Sequence, residues 1–256
     1  MNQDVSFLCL DLGNTTCRGG IWRDGKINDE RTIPTTDFSR SGNDWMDGWG
    51  YCKKICYCSV VPEAEHALHS ICARNKTCTL FSLSAESQRH LPIAYPKPSE
   101  VGADRIANSY AVFKKYPLPA IVIDLGTATT FDVITAKGGY VGGVIVPGPQ
   151  GMLDYLGNKT ALLPKIILNH TNRTVPAIGK STDLAIMSGL CYGYLPMLNG
   201  ILEEIIIEFK KKGEVVRSIV QTGGEAKNYS ISKANIHNSL TLEGLALAFI
   251  DEQTRC

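Results

Sequence analysis

Much is scarce in this chain of 256 residues. An excess of one charge is missing: 26 Lys and Arg against 25 Asp and Glu leave a formal net charge of +1. No bulk field therefore draws it to nucleic acid or to an anionic membrane surface. No stretch reaches the ~18 consecutive apolar residues of a membrane span. The opening MNQDVSFLCLDLG has no basic n-region and carries Asp4 and Asp11 around its short apolar run, so it reads as lacking a signal peptide. The nine cysteines include no C-x-x-C pair. Cys52, Cys56 and Cys58 lie close together, but Cys56 and Cys58 alternate on an expected strand, and the nearest histidines, His66 and His69, fall on an expected helix. The expectation is reduced thiols used as small hydrophobes in a cytoplasmic protein. What is present is an ordinary globular mixture, 44% hydrophobic and 20% charged, which argues against disorder, collagen and coiled coil. The length suits one large or two modest domains.

Apolar runs and turn signals predict strands at Val5–Leu10, Cys17–Trp22 and Lys26–Ile33, the last two joined by Asp24-Gly25. Pro34–Gly50 reads as a loop. A strand follows at Ile55–Val61. Pro62 then opens a helix whose apolar face is Ala64, Leu68, Ile71 and Cys72. Thr77–Leu83 is a strand. After a Pro-rich loop, Leu91–Ser99, a helix is expected behind Val101-Gly102-Ala103-Asp104-Arg105, with Ile106, Ala107, Tyr110 and Phe113 inward. Further strands are expected at Ala120–Ile123, Phe131–Thr135, Tyr140–Val146 and Val215–Val220. A helix interrupted at Pro196 spans Asp183 to Lys212, with Gly213 as its cap, and a terminal helix covers Leu242–Ile250.

The pattern restarts. The run ending in Asp11-Leu12-Gly13-Asn14-Thr15-Thr16 aligns without gaps on the one ending in Asp124-Leu125-Gly126-Thr127-Ala128-Thr129. Each copy closes an apolar strand and is followed by another strand. The spacing is far too long for a solenoid repeat. Two domains of like topology facing each other across a cleft are expected, with the boundary near Lys115–Pro119.

A strand–Asp-x-Gly–turn–strand unit puts a carboxylate at a strand end, and its glycine lets backbone approach a ligand without Cβ interference. Asn and Thr side chains and turn N–H groups are donors for phosphate oxygens, while aspartates suit an accompanying cation. Thr222-Gly223-Gly224 fits a loop lying against a nucleoside. Gly179-Lys180-Ser181-Thr182 imitates the end of a P-loop, but Thr174 stands where that motif needs glycine and no strand leads in. Thr182 is expected to cap the following helix. Asp104, for a hydroxyl proton, and Arg105, for an anionic group, make a sensible substrate pair.

DLGNTT, VGADR, DLGTATT, GGVIVPG and IGKST, in this order from about Leu8 to Gly224, resemble type III pantothenate kinase, within the actin–sugar kinase–Hsp70 superfamily. The resemblance implies an α/β fold of two similar ribonuclease H-like (actin-like ATPase) domains, 1–118 and 119–256, each a central mixed sheet flanked by helices. It implies that Asp11, Leu12, Gly13, Asn14, Thr15, Thr16, Cys17, Arg18 and Thr127 bind ATP. Tyr95, Gly102, Ala103, Asp104, Arg105 and Thr182 would bind pantothenate, with Asp104 as general base. Asp124 would hold a monovalent cation, K+ or NH4+, with Mg2+ accompanying ATP. The product would be 4′-phosphopantothenate, the first step toward coenzyme A, made by a cytoplasmic homodimer with no nucleic-acid or membrane partner. Alternatives are a kinase for another small acceptor on the same scaffold and a Baf-like accessory factor for transcription.

Overall fold

The computed structural model describes residues 6–50, 52–74, 78–170 and 174–254. The expected strand residues Val5 and Thr77 lie outside these.

The chain opens as an antiparallel meander of β1 (Phe7–Leu12), β2 (Thr16–Arg23) and β3 (Lys26–Pro34). Asp24 and Gly25 both have positive φ, 55° and 75°, the twist that a two-residue hairpin turn needs. The segment expected as a loop is instead helix α1 (Thr35–Asp47). Its many Ser, Asp, Arg and Asn residues hide a helical spacing: Thr35, Phe38, Gly42 and Met46 are buried and the polar residues face out. Next come β4 (Lys54–Ser59), α2 (Pro62–Ala73) and β5 (Thr79–Ser82). β4 is parallel to β1, and β5 to β4. The sheet order is β3-β2-β1-β4-β5. β1 and β4, central and covered on both faces, are continuous apolar runs for that reason.

After α3 (Ala103–Lys115), a second meander of β6 (Ala120–Leu125), β7 (Ala128–Thr135) and β8 (Gly139–Pro147) leads into α4 (Pro149–Lys159). Pro149 opens α4 as an admissible first helical residue. α5 (Thr182–Lys211) runs through Pro196 without a break. Tyr194 and Leu198, buried on either side, hold the helix together where the proline removes a backbone donor. Gly213, at φ 75°, donates to Lys210 O at 3.0 Å and ends it as expected. α5 is also long and apolar enough to cross a bilayer, but its buried row packs into the second core. β9 (Ser218–Thr222), β10 (Asn235–Ile236) and α6 (Leu240–Gln253) complete the chain. The second sheet has the order β10-β9-β6-β7-β8. Counted from its own first strand, this is the order of the first sheet.

Two compact units result: 1–117 with 134–142 and 239–256, and 118–133 with 143–238. The terminal helix therefore belongs to the first unit. There α6 lies on α3 so closely that a Cβ at Gly244 would sit 1.8 Å from Ala107 O. Thr241 Oγ1 donates to Asn108 Oδ1 at 2.8 Å, and Tyr110 Oη to Asp251 Oδ2 at 2.5 Å. α3 is thus held as a rigid platform for the residues at its N-terminus.

Candidate functional site

In the first unit β1 delivers Asp11 to the mouth of a tight turn. Gly13 N–H donates to Thr16 O at 3.1 Å, and a Cβ on Gly13 would lie 2.9 Å from that oxygen. Thr35 N–H donates to Thr15 O at 3.0 Å, so the start of α1 tethers the turn. Asn14, Thr15 and Thr16 are exposed, whereas the Leu12 and Cys17 side chains are wholly buried and leave only backbone to a ligand. Asp11 pairs with Cys58 across the parallel ladder, and Cys58 Sγ donates to Asp11 Oδ1 at 3.5 Å. Burial, and next the negative charge of Asp104, push the Asp11 carboxyl up to about 6; Arg18 and the Cys58 thiol pull the other way. Arg18 Nη2 also donates to Glu30 Oε2 at 3.0 Å, and Ser239 Oγ donates to the other Glu30 oxygen.

Asp104 lies in the first turn of α3, whose opening bond runs from Ile106 N–H to Gly102 O. Its Oδ1 accepts from Arg105 N–H at 2.8 Å, and a Cβ on Gly102 would come within 2.6 Å of the same oxygen. Only glycine leaves room for the carboxylate there. Burial raises the Asp104 pKa, and Arg105 partly offsets this. The Arg105 guanidinium stands over the Tyr140 ring at 5.6 Å, and Tyr95 meets the same ring edge-on at 5.9 Å. Tyr95, Gly102, Ala103, Asp104 and Arg105 are thus gathered in one unit with Asp11. Tyr140, Glu30 and Cys58 were missed. Cys58 was findable, because aligning the two parallel strands places it opposite Asp11. Nothing local marks the other two.

In the second unit Gly126 N–H donates to Ala128 O at 3.1 Å, and Gly148 N–H to Thr127 O at 3.0 Å. These bonds are the counterparts of Gly13 to Thr16 and Thr35 to Thr15, so the second turn is one residue shorter. The gapless alignment is corrected accordingly: Thr127 alone stands for Asn14-Thr15, and it is exposed. Asp124 pairs with Thr222 across the ladder. Thr222 Oγ1 is buried with no protein partner. Beside it Gly223 has φ 97°, and a Cβ there would lie 2.4 Å from both Asp124 Oδ1 and Leu125 O. Side-chain and main-chain oxygens therefore converge at the end of β6. Such a hard, singly charged donor set suits an alkali-type cation. Asp132 is buried and accepts from Thr130 Oγ1 at 3.1 Å, a structural role. The cap of α5 is Ser181, whose Oγ accepts from Leu184 N–H at 3.2 Å, not Thr182. Thr182 is the exposed first helical residue and belongs to the second unit.

For Mg2+, the fit rests on the first unit. Two carboxylates, Asp11 and Asp104, are close enough for one to raise the pKa of the other, and hard oxygen donors that repel each other suit a divalent cation.

A family model described as type III pantothenate kinase matches residues 7–204, from β1 into α5. The chain is 33% identical over 257 residues to a type III pantothenate kinase of Syntrophotalea carbinolica, covering 95% of this chain and 98% of that one. It is 38% identical over 274 residues to one of Koribacter versatilis, covering 96% of each. Among solved structures it is similar to a Baf-family protein of Campylobacter jejuni, a candidate transcriptional activator, at TM-score 0.58 and 20% identity over 97% of this chain and 100% of that one. That likeness shows the fold alone. The family match and near-full-length relatives at a third identity or more carry the conclusion that this chain belongs to the type III pantothenate kinase family, a family of phosphotransferases.

Proposed function

We propose that the protein transfers the γ-phosphoryl group of ATP to the primary hydroxyl of pantothenate, giving 4′-phosphopantothenate in coenzyme A biosynthesis. The observation that carries this reading is Asp104: a carboxylate at a helix N-terminus, its pKa raised by burial, next to an arginine braced on Tyr140. A base poised upward from the ordinary carboxylate range can accept a hydroxyl proton near neutral pH. Arg105 offers a fixed guanidinium to the pantothenate carboxylate, and Tyr95 and Tyr140 supply an apolar wall.

In the step itself, the hydroxyl oxygen bonds to the γ-phosphorus, the bond to the β-phosphate oxygen breaks, and Asp104 takes the proton. Because the transition state is loose, Asp104 contributes mainly by holding the hydroxyl in line. The turn from Asp11 to Arg18 offers the exposed Asn14, Thr15 and Thr16 and the N–H groups not used within the turn to the ATP phosphates, and Thr127 does the same from the second turn. Asp11 holds Mg2+, which neutralises phosphate charge when bound. Asp124, with Leu125 O and Thr222 Oγ1, holds K+ or NH4+. The enzyme works as a cytoplasmic homodimer.

The test is ADP release by purified protein given ATP, Mg2+ and pantothenate, in potassium and then in sodium alone. Pantothenate-dependent turnover that requires potassium is the expected result. A folded protein that releases ADP at the same rate with and without pantothenate contradicts the reading.

A further inference from the structure

The sequence groups Cys52 with Cys56 and Cys58, but the fold separates them. Cys56 and Cys58 lie inside β4, fully buried. Cys52 lies just before β4, Cys78 just before β5 and Cys72 in the last turn of α2. β4, α2 and β5 form a strand–helix–strand crossover, so the end of the helix returns to the starts of both strands. There the three thiols line one cavity of about 460 Å³. Cys72 and Cys78 lie near enough that Cys78, after burial, helps push the Cys72 thiol up to about 12, and Cys52 lies near enough to Cys78 to sense its charge. Asp11 and Cys58 stand at the other end of the same strands, roughly 16 Å away along β4.

Another thiol pair gives the contrast. Cys56 Sγ and Cys9 Sγ are 3.4 Å apart on adjacent parallel strands. Both are wholly buried, both are fixed in the sheet ladder, and neither lines a described cavity. They are packing residues. Cys72 and Cys78 differ in lying outside the sheet ladder and lining a cavity, although Cys72 is also buried. Cys78 is only half-buried and lies outside the ladder. The cavity gives a small reagent a way in. A metal is not the match, because among the described residues no three His, Cys, Asp or Glu side chains are disposed to hold one.

We propose that Cys72 and Cys78 form a reversible dithiol–disulfide site that exchanges with low-molecular-weight disulfides entering through this cavity. Cys78, the more exposed thiol, loses its proton and attacks one sulfur of the incoming disulfide. That forms a mixed disulfide and expels one thiolate, which takes up the proton. Cys72 then loses its proton and attacks the Cys78 sulfur, forming the internal disulfide and expelling the second thiolate. Two protein thiols are oxidised and one disulfide is reduced to two thiols. The product staples α2 to β5, the edge strand of the first sheet.

The folded protein is equilibrated with mixtures of oxidised and reduced glutathione. Free thiols are alkylated, and the non-reducing tryptic digest is analysed by mass spectrometry. Trypsin cuts after Arg74 and Lys76, so the disulfide appears as two linked peptides. A Cys72–Cys78 link that grows with oxidised glutathione and vanishes with dithiothreitol is expected. In Cys72→Ser the reaction should stop at a glutathione adduct on Cys78. The exposed Cys191 reports that the reagent was active, while Cys9 and Cys56 stay free. Free Cys72 and Cys78 alongside a modified Cys191, a Cys52–Cys78 link, or a lasting glutathione adduct on wild-type Cys78 each overturn the proposal.

Discussion

The two units repeat one backbone frame and fill it with different chemistry. In each, a strand delivers an aspartate to a tight turn, and the N–H of a residue at the start of the next helix tethers that turn through a carbonyl, Thr35 to Thr15 and Gly148 to Thr127. The ladder partner of the aspartate then sets its environment. In the first unit it is Cys58, a weak thiol donor already bonded to Asp11, with the Asp104 carboxylate in range. In the second it is Thr222, whose hydroxyl is buried without a protein partner beside Asp124. One half gathers carboxylates, which suits proton handling and a divalent ion; the other gathers a hydroxyl, a carbonyl and one carboxylate, which suits a monovalent ion. A duplicated fold thus becomes specialised through one cross-strand pair and one deleted turn residue.

Breaking the first half should cost most. Asp104→Asn is expected to lower pantothenate-dependent kcat by about 100- to 10,000-fold, with the KM for ATP little changed, as steady-state kinetics would show. A similar fall in ATP affinity would place Asp104 elsewhere in the reaction. Gly244→Ala should destabilise the first unit by about 1–3 kcal/mol through overpacking against Ala107, because its Cβ has no room; urea unfolding measures this. Gly200→Ala, on α5 with open space around its Cβ, should show no such loss.

Thr222→Val sharpens the comparison from the second half. It removes the unpartnered oxygen and nearly keeps the volume, so the potassium concentration for half-maximal turnover should rise on the order of tenfold, the equivalent of about 1.4 kcal/mol, while the fold is retained. The last effect concerns pH. Asp11 has a folded pKa of about 6 against an ordinary 3.8, so between those values the folded state binds more protons than the unfolded one. Its contribution to stability is therefore present at low pH and lost as pH rises through about 6. The melting temperature of ligand-free wild type should fall relative to that of Asp11→Asn over this interval. Parallel curves would show that Asp11 does not titrate there.

Most of this was legible in the sequence wherever one strand or helix carries its own signal. The apolar runs ending in Asp11 and Asp124, the Asp24-Gly25 turn, the apolar faces of α2 and α3 and the Gly213 cap all depend on neighbours in sequence. The missed helices, α1 and α4, occupy the same place in the two units. Each follows a proline-terminated strand, and a polar or Gly- and Pro-rich start conceals its buried face. The turn-length difference was hidden because the gapless frame sets Thr16 on Thr129, a plausible match, and only hydrogen-bond register decides between frames. The brace of Tyr140 under Arg105 and the bond from Arg18 to Glu30 join residues that are not sequence neighbours, which no local pattern announces.

The division of labour between the two aspartates is tested most directly by potassium titrations of pantothenate-dependent ADP release in Asp104→Asn and Asp124→Asn. The account predicts that Asp104→Asn lowers the maximal rate while leaving the half-saturating potassium concentration unchanged, and that Asp124→Asn shifts that concentration upward or abolishes the potassium response. An unchanged potassium dependence in Asp124→Asn, or a shifted one in Asp104→Asn, would contradict it.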